Sequence, residues 1–176
     1  ASQVAPIDVN DVIESLQYAG GSAAASHMDT DNLLATISAM GARGTKGSLA
    51  GTALRNFMTR DITSTGKNAL ESIGISPDDF WKAGGDQMRN ISELKQMIDE
   101  KMQALGMSRQ EQLSFWSKFA GQKMANQLMK IDPSEVEKYQ EKIEKGADVE
   151  NEMNTILNST KELWNEITAA GENVMV

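Results

Sequence analysis

Apolar residues recur along most of this chain at spacings of three and four, the period that gathers them on one face of an α-helix. Val9, Val12, Ile13, Leu16 and Ala19 trace one such stripe after Asp8, a residue type suited to capping a helix start. Gly20 and Gly21 weaken its continuation. Asp29-Thr30-Asp31 offers a second cap before Leu33, Leu34, Ile37 and Met40, and Gly41 and Gly44 close that segment. A third helix is predicted from about Ser48 through Leu54 and Phe57 to about Thr59, and a shorter fourth from Lys67 to Ile73, ended by Gly74. Ser76-Pro77-Asp78-Asp79 starts one further turn before Gly84-Gly85 interrupts the chain.

The second half is more regular. Leu94, Met97, Ile98, Met102 and Leu105 share one face, with Lys95, Asp99, Glu100 and Lys101 on much of the rest, and Gly106 ends the helix. Ser108-Arg109-Gln110-Glu111 fits a capping box, in which serine and glutamate side chains satisfy amides at a helix start. Leu113, Trp116, Ala120, Met124, Leu128 and Ile131 then predict one long helix, widened by Phe115 and Phe119, as the centre of the core. Asp132-Pro133-Ser134-Glu135 caps the next segment, where Val136, Tyr139 and Ile143 form a narrower seam. Beyond Gly146, the residues Val149, Met153, Ile156, Thr160, Leu163 and Ile167 alternate spacings of four and three, as heptad a and d positions do.

No alternating strand pattern of useful length is present, so the expectation is an all-α fold. It divides into a compact multi-helix domain over residues 1–131 and a long C-terminal helical arm over 132–176. The arm holds eleven acidic and four basic residues and so accounts for most of the formal net charge of −8. That charge opposes close contact with polyanions, and no direct nucleic acid binding is expected. There is no cysteine among the 176 residues, which excludes disulfides, zinc–thiolate sites and a thiol nucleophile. No apolar run reaches the roughly 18 to 20 residues of a membrane span. Ala1-Ser2-Gln3 lacks an initiator Met and is not followed by a secretion signal, so the sequence reads as a piece of something longer.

Candidate chemistry is sparse. His27, the only histidine, reads as a loop residue between helices. Asp29-Thr30-Asp31 begins like a calcium loop, but Leu34 stands where glycine is needed and Met40 where the bidentate glutamate belongs. Asp78-Asp79 and the arm's glutamates read as solvated charge. The stretch Gly41-Ala42-Arg43-Gly44-Thr45-Lys46-Gly47-Ser48 has the ingredients of a phosphate loop in the wrong order, since the lysine must directly precede Ser or Thr. Its better use is structural: Gly47, Ser48, Gly51 and Thr52 make a small-residue face on which a second helix can approach closely, with Leu54 and Phe57 filling the wider part of the groove. No catalytic, cofactor or metal site is expected. The heptad seam has two destinations, the chain's own core or a second copy, which makes a homo-oligomer through the arm a candidate assembly.

The run Gly44-Thr45-Lys46-Gly47-Ser48-Leu49-Ala50-Gly51-Thr52-Ala53-Leu54-Arg55 resembles the signature of the core region of phage tail tape measure proteins. The order of helices around it is similar to that family from about Asp8 to Ile131, including Ala69-Leu70-Glu71-Ser72-Ile73-Gly74-Ile75 and Phe119-Ala120-Gly121-Gln122. Phe80-Trp81 and Gly84-Gly85 depart from its usual plainer loop. The resemblance implies a structural tail component that lies in the lumen of the virion tail, is assembled in the host cytoplasm, sets tail length and leaves ahead of the DNA. It also implies the tail tube protein, tail assembly chaperones and tail tip proteins as partners. Two other classes stay open: a generic helical adaptor domain, which would keep the same fold and arm, and a cell-wall hydrolase or other enzyme. The hydrolase would need a cleft holding a carboxylate of raised pKa.

Overall fold

The computed structural model describes residues 8–145 and, nearer the C-terminus, residues 162–163, 165–167 and 169. Residues 8–145 form eight α-helices and two 3₁₀ turns. The helices are α1 (Val9–Ala25), α2 (Thr30–Ala42), α3 (Gly47–Thr59), α4 (Ser64–Ser72), α5 (Ile91–Ala104), α6 (Arg109–Ala120), α7 (Gln122–Met129) and α8 (Pro133–Lys145). The 3₁₀ turns are Arg60–Ile62 and Pro77–Phe80. The fold is all-α, and among the described residues an isolated antiparallel bridge between Trp81 and Met88 pins the connection ahead of α5.

The caps form as the sequence requires. Asp8 accepts from the Asn10 amide and Asp29 from the Asp31 amide, each at 2.9 Å. Ser108 and Glu111 make the reciprocal box, with bonds of 2.7 and 3.2 Å. Ser76 and Asp79 make another over the Pro77–Phe80 turn. α4 starts at Ser64, earlier than the predicted Lys67, because the Thr63 hydroxyl accepts from the Gly66 amide at 3.1 Å and caps a turn that reads as loop in sequence. α1 runs straight through Gly20 and Gly21 to Ala25, since packing outweighs the modest helix penalty of glycine.

The centre of the fold is α2, and this corrects the expectation of a central helix from Leu113 to Ile131. Every residue from Asn32 to Gly41 is buried, so α2 meets protein on all sides and shows no polar face. The Leu113–Ile131 stripe is two helices. Gly121 sits at φ 93° and ψ 146°, a conformation incompatible with a continuous helix, and α7 leaves in a new direction. Leu113 is on the solvent side, 36% exposed. Phe57, Phe80, Phe115, Trp116 and Phe119 form a single aromatic cluster with ring centroids 5.3–6.1 Å apart, joining α3, α6 and the Pro77–Phe80 turn.

The long arm drawn from Asp132 onward is not what the described part of that segment shows. Its first helix, α8, lies along α2 and touches α5, and its narrow seam of Val136, Tyr139 and Ile143 is buried. Arg43, just past α2, holds α8 from outside through Asp132 at 3.2 Å and Glu135 at 3.0 Å.

Candidate functional site

α1 lies along α3, and the small-residue face meets it. A Cβ added at Gly51 would collide with the Ser15 carbonyl oxygen and stand 2.7 Å from Tyr18 Cβ, so the α1 backbone lies directly on this glycine. The buried Ser15 hydroxyl ties the pair together, bonding the Asp11 carbonyl at 2.8 Å within α1 and the Gly47 carbonyl at 2.9 Å across the interface. Gly47, Gly51 and Leu54 are buried, and Ser48 and Thr52 half-buried at the margin. Phe57 stacks in the aromatic cluster with Phe80, Trp116 and Phe119, at a position about 120° around the helix axis from Gly51.

The same geometry bears on the phosphate-loop comparison. A helix N-terminus attracts anions through its free amides and dipole. At the start of α3 the neighbouring groups are the carboxylates of Glu14 and Asp11, which lie against Gly47, while Lys46 is exposed and makes no cap. An incoming phosphate would meet two negative charges.

Three buried polar arrangements carry no sequence motif. Asn32 in the middle of the core donates to Ser92 Oγ at 3.0 Å and Gln140 Oε1 at 2.8 Å, and accepts from the Ile91 amide at 2.9 Å. One side chain thus fixes α2, α5 and α8 in register. Lys95, 3% exposed, reaches Asp99 at 2.6 Å and lies 5.8 Å from the Trp116 ring centroid. Burial raises the Asp99 pKa, and Lys95 opposes that rise. Asp61, 2% exposed, accepts from Trp81 Nε1 at 2.8 Å through Oδ2, while Oδ1 is buried without a hydrogen-bond partner. Burial raises its pKa above the ordinary range, against the pull of Trp81, nearby amides and Lys67. The one hint in sequence is a polar residue in an otherwise apolar setting, as Asn32 is.

Of the candidate seam, Leu163 packs against the core of its own chain and Ile167 lies over Gly20 of α1. Val149, Met153, Ile156 and Thr160 are outside the described residues. His27 occupies the loop after α1, where its Nδ1 is 2.8 Å from the Asp86 carbonyl oxygen. Surface grooves of about 400 Å³ between α4 and α6, about 590 Å³ at the Trp81–Arg89 loop and about 240 Å³ between α5 and α8 are lined by neither Asp61 nor Asp99. Among the described residues no group of three His, Asp or Glu could hold a metal ion, and no helix is long and apolar enough to cross a membrane.

A family model described as phage-related minor tail protein matches residues 1–121. The chain belongs to this family, a class of structural components of the phage tail. No curated protein matches the chain and no solved structure does. The match begins seven residues before α1 is capped and ends at Gly121, the residue at which α6 breaks from α7.

Proposed function

We propose that this chain is a segment of a tape measure protein, acting in tail assembly, tail length determination and DNA delivery from within the tail lumen. Family membership supports the tail role, and most of the run that resembles the tape measure signature lies on α3, where the α1 backbone rests against Gly51. The observation that carries the mechanism is the burial of α2 on all sides. A segment acting as a simple ruler adds about 1.5 Å per residue when it is one continuous helix, whereas these helices fold back around α2. The segment is a compact body at one place in the tail, and length is set by extended portions elsewhere in the protein.

In this reading the role is structural, in keeping with a family of phage tail components. The net charge of −8 suits a conduit shared with DNA, because like charge limits adhesion. The tube protein, the tail assembly chaperones and the tail tip are the partners this reading calls for. In-frame deletion of residues 8–145 from the phage protein tests it, with tail lengths measured by electron microscopy. The expected outcome is defective assembly or delivery with any tails formed near normal length. Tails shortened by about 200 Å, the span of that many residues as one helix, would overturn the compact-body reading.

A further inference from the structure

The connection between the Pro77–Phe80 turn and α5 runs over the surface, with residues 83–86 exposed, yet it is firmly tied. Trp81 and Met88 form its bridge, and the Lys82 amide donates to the Gln87 carbonyl and the Arg89 amide to the Phe80 carbonyl, both at 2.8 Å. The Met88 amide donates to the Ser26 carbonyl at 2.9 Å and so fastens the loop to the end of α1. Trp81 Nε1 turns inward to Asp61 at 2.8 Å, and Asp61 is buried with its second oxygen unbonded. Burying a carboxylate in that way costs stability. What it secures is the orientation of one half-buried tryptophan.

Because the indole's polar atom faces the interior, the ring presents carbon to the groove of about 590 Å³ outside it. That volume lies within the roughly 300–1,000 Å³ of ligand clefts. Gly84 and Gly85 leave part of the wall without side chains; both have positive φ, and open space lies where a Cβ would stand. Asp78, Lys82 and Arg89 complete the lining, and among the described residues none of the three is in an ion pair. An acceptor and two donors therefore surround an apolar plate. An anion drawn to Lys82 and Arg89 is repelled by Asp78, and a cation drawn to Asp78 is repelled by the other two. A sugar ring suits all of them: its C–H face packs on the indole, while its edge hydroxyls donate to the carboxylate and accept from the two cations. We propose that the groove beside Trp81 binds a neutral saccharide, with the indole ring as the stacking surface, Asp78, Lys82 and Arg89 as the hydrogen-bonding rim, and Asp61 as the residue that positions the ring. The site does not depend on the tape measure reading.

The test is a titration of the isotope-labelled full chain with maltohexaose, cellohexaose and N-acetylchitohexaose, followed by two-dimensional amide NMR. The Trp81 indole N–H and the Gly84 and Gly85 amides should shift saturably with at least one of these neutral oligosaccharides, while the indole of Trp116, buried in the aromatic cluster, keeps its position. Inorganic phosphate and spermidine should leave all of these signals in place. Asp78→Ala and Arg89→Ala, both at exposed positions, should each weaken binding about tenfold, the loss of a hydrogen bond to a charged group. Asp61→Ala should weaken binding as well, and Asp61→Asn, which keeps an acceptor for Trp81, should retain it, a contrast that a merely structural role would not produce. The proposal is overturned if none of the three oligosaccharides moves the Trp81 indole, if phosphate or spermidine moves the same signals instead, or if binding is unchanged in the folded Asp78→Ala/Arg89→Ala variant.

Discussion

At Gly51 there is no space for one more carbon, because the obstacle is the α1 backbone at Ser15 and not a movable side-chain tip. Gly51→Ala gains about 1 kcal/mol of helix propensity and forces the two helices apart, an overpacking penalty of about 1–3 kcal/mol. The separation also strains the Ser15–Gly47 bond. The expected outcome is a net loss of stability, read as a lower urea midpoint. This contact was legible, since glycines four apart on a predicted helix give a reason for close approach before any neighbour is known. Asp61 was not, because nothing in its local sequence reports that its carboxylate is enclosed. Its consequence is a pH dependence. Below the ordinary carboxylate range both folded and unfolded chains hold the proton. As pH rises from about 4, the unfolded chain ionises first while burial keeps native Asp61 protonated, so this group lowers stability until it too ionises. Asp61→Asn can still accept from Trp81 and does not titrate, so thermal melts against pH should show the variant gaining on wild type through that window. Parallel curves would refute the assignment.

Glycine is read differently by different elements, and that is where periodicity ran out. Gly20 and Gly21 look like helix breakers and are not; Gly121 looks like a tolerated interruption and ends α6. The deciding partners are distant in sequence. Ile167 fills the space at Gly20, while the Ala120 carbonyl beside the Gly121 break is satisfied by Asn56 Nδ2 of α3 at 2.9 Å. α2 offered a better signal than a stripe, because Leu33, Leu34, Ala35, Ile37, Ala39 and Met40 leave no face polar. Gly121→Ala keeps open space around the new methyl but places an L residue at φ 93°, so a penalty of about 1–3 kcal/mol is expected. Urea unfolding with an unchanged slope would assign it to local backbone strain. A variant as stable as wild type would mean that α6 and α7 can join into the single helix their sequence describes.

At the scale of the whole molecule, charge misdirected the reading of α8. Its acidic outer face resembles an arm, yet only a narrow edge is needed to pack, and Val136, Tyr139 and Ile143 supply it. The ion pairs of Arg43 with Asp132 and Glu135 are over a third exposed at the arginine, so they add at most about 1 kcal/mol each. Apolar burial holds α8 in place, and high salt should not release it. The family match ends at Gly121, but the core does not. A chain cut there loses the burial of Met124, Leu128, Ile131, Val136, Tyr139 and Ile143, each contributing roughly 1.5–3 kcal/mol as an upper figure. That sum rivals the 5–15 kcal/mol that holds a typical domain folded. The cut also removes Gln140 and opens the Asn32 network to water. Residues 1–121 alone should therefore bind a hydrophobic dye and melt without a cooperative transition, whereas a chain ending at Lys145 should melt cooperatively. Cooperative melting of the shorter piece would place the folding unit at the family boundary and reduce α7 and α8 to an accessory layer.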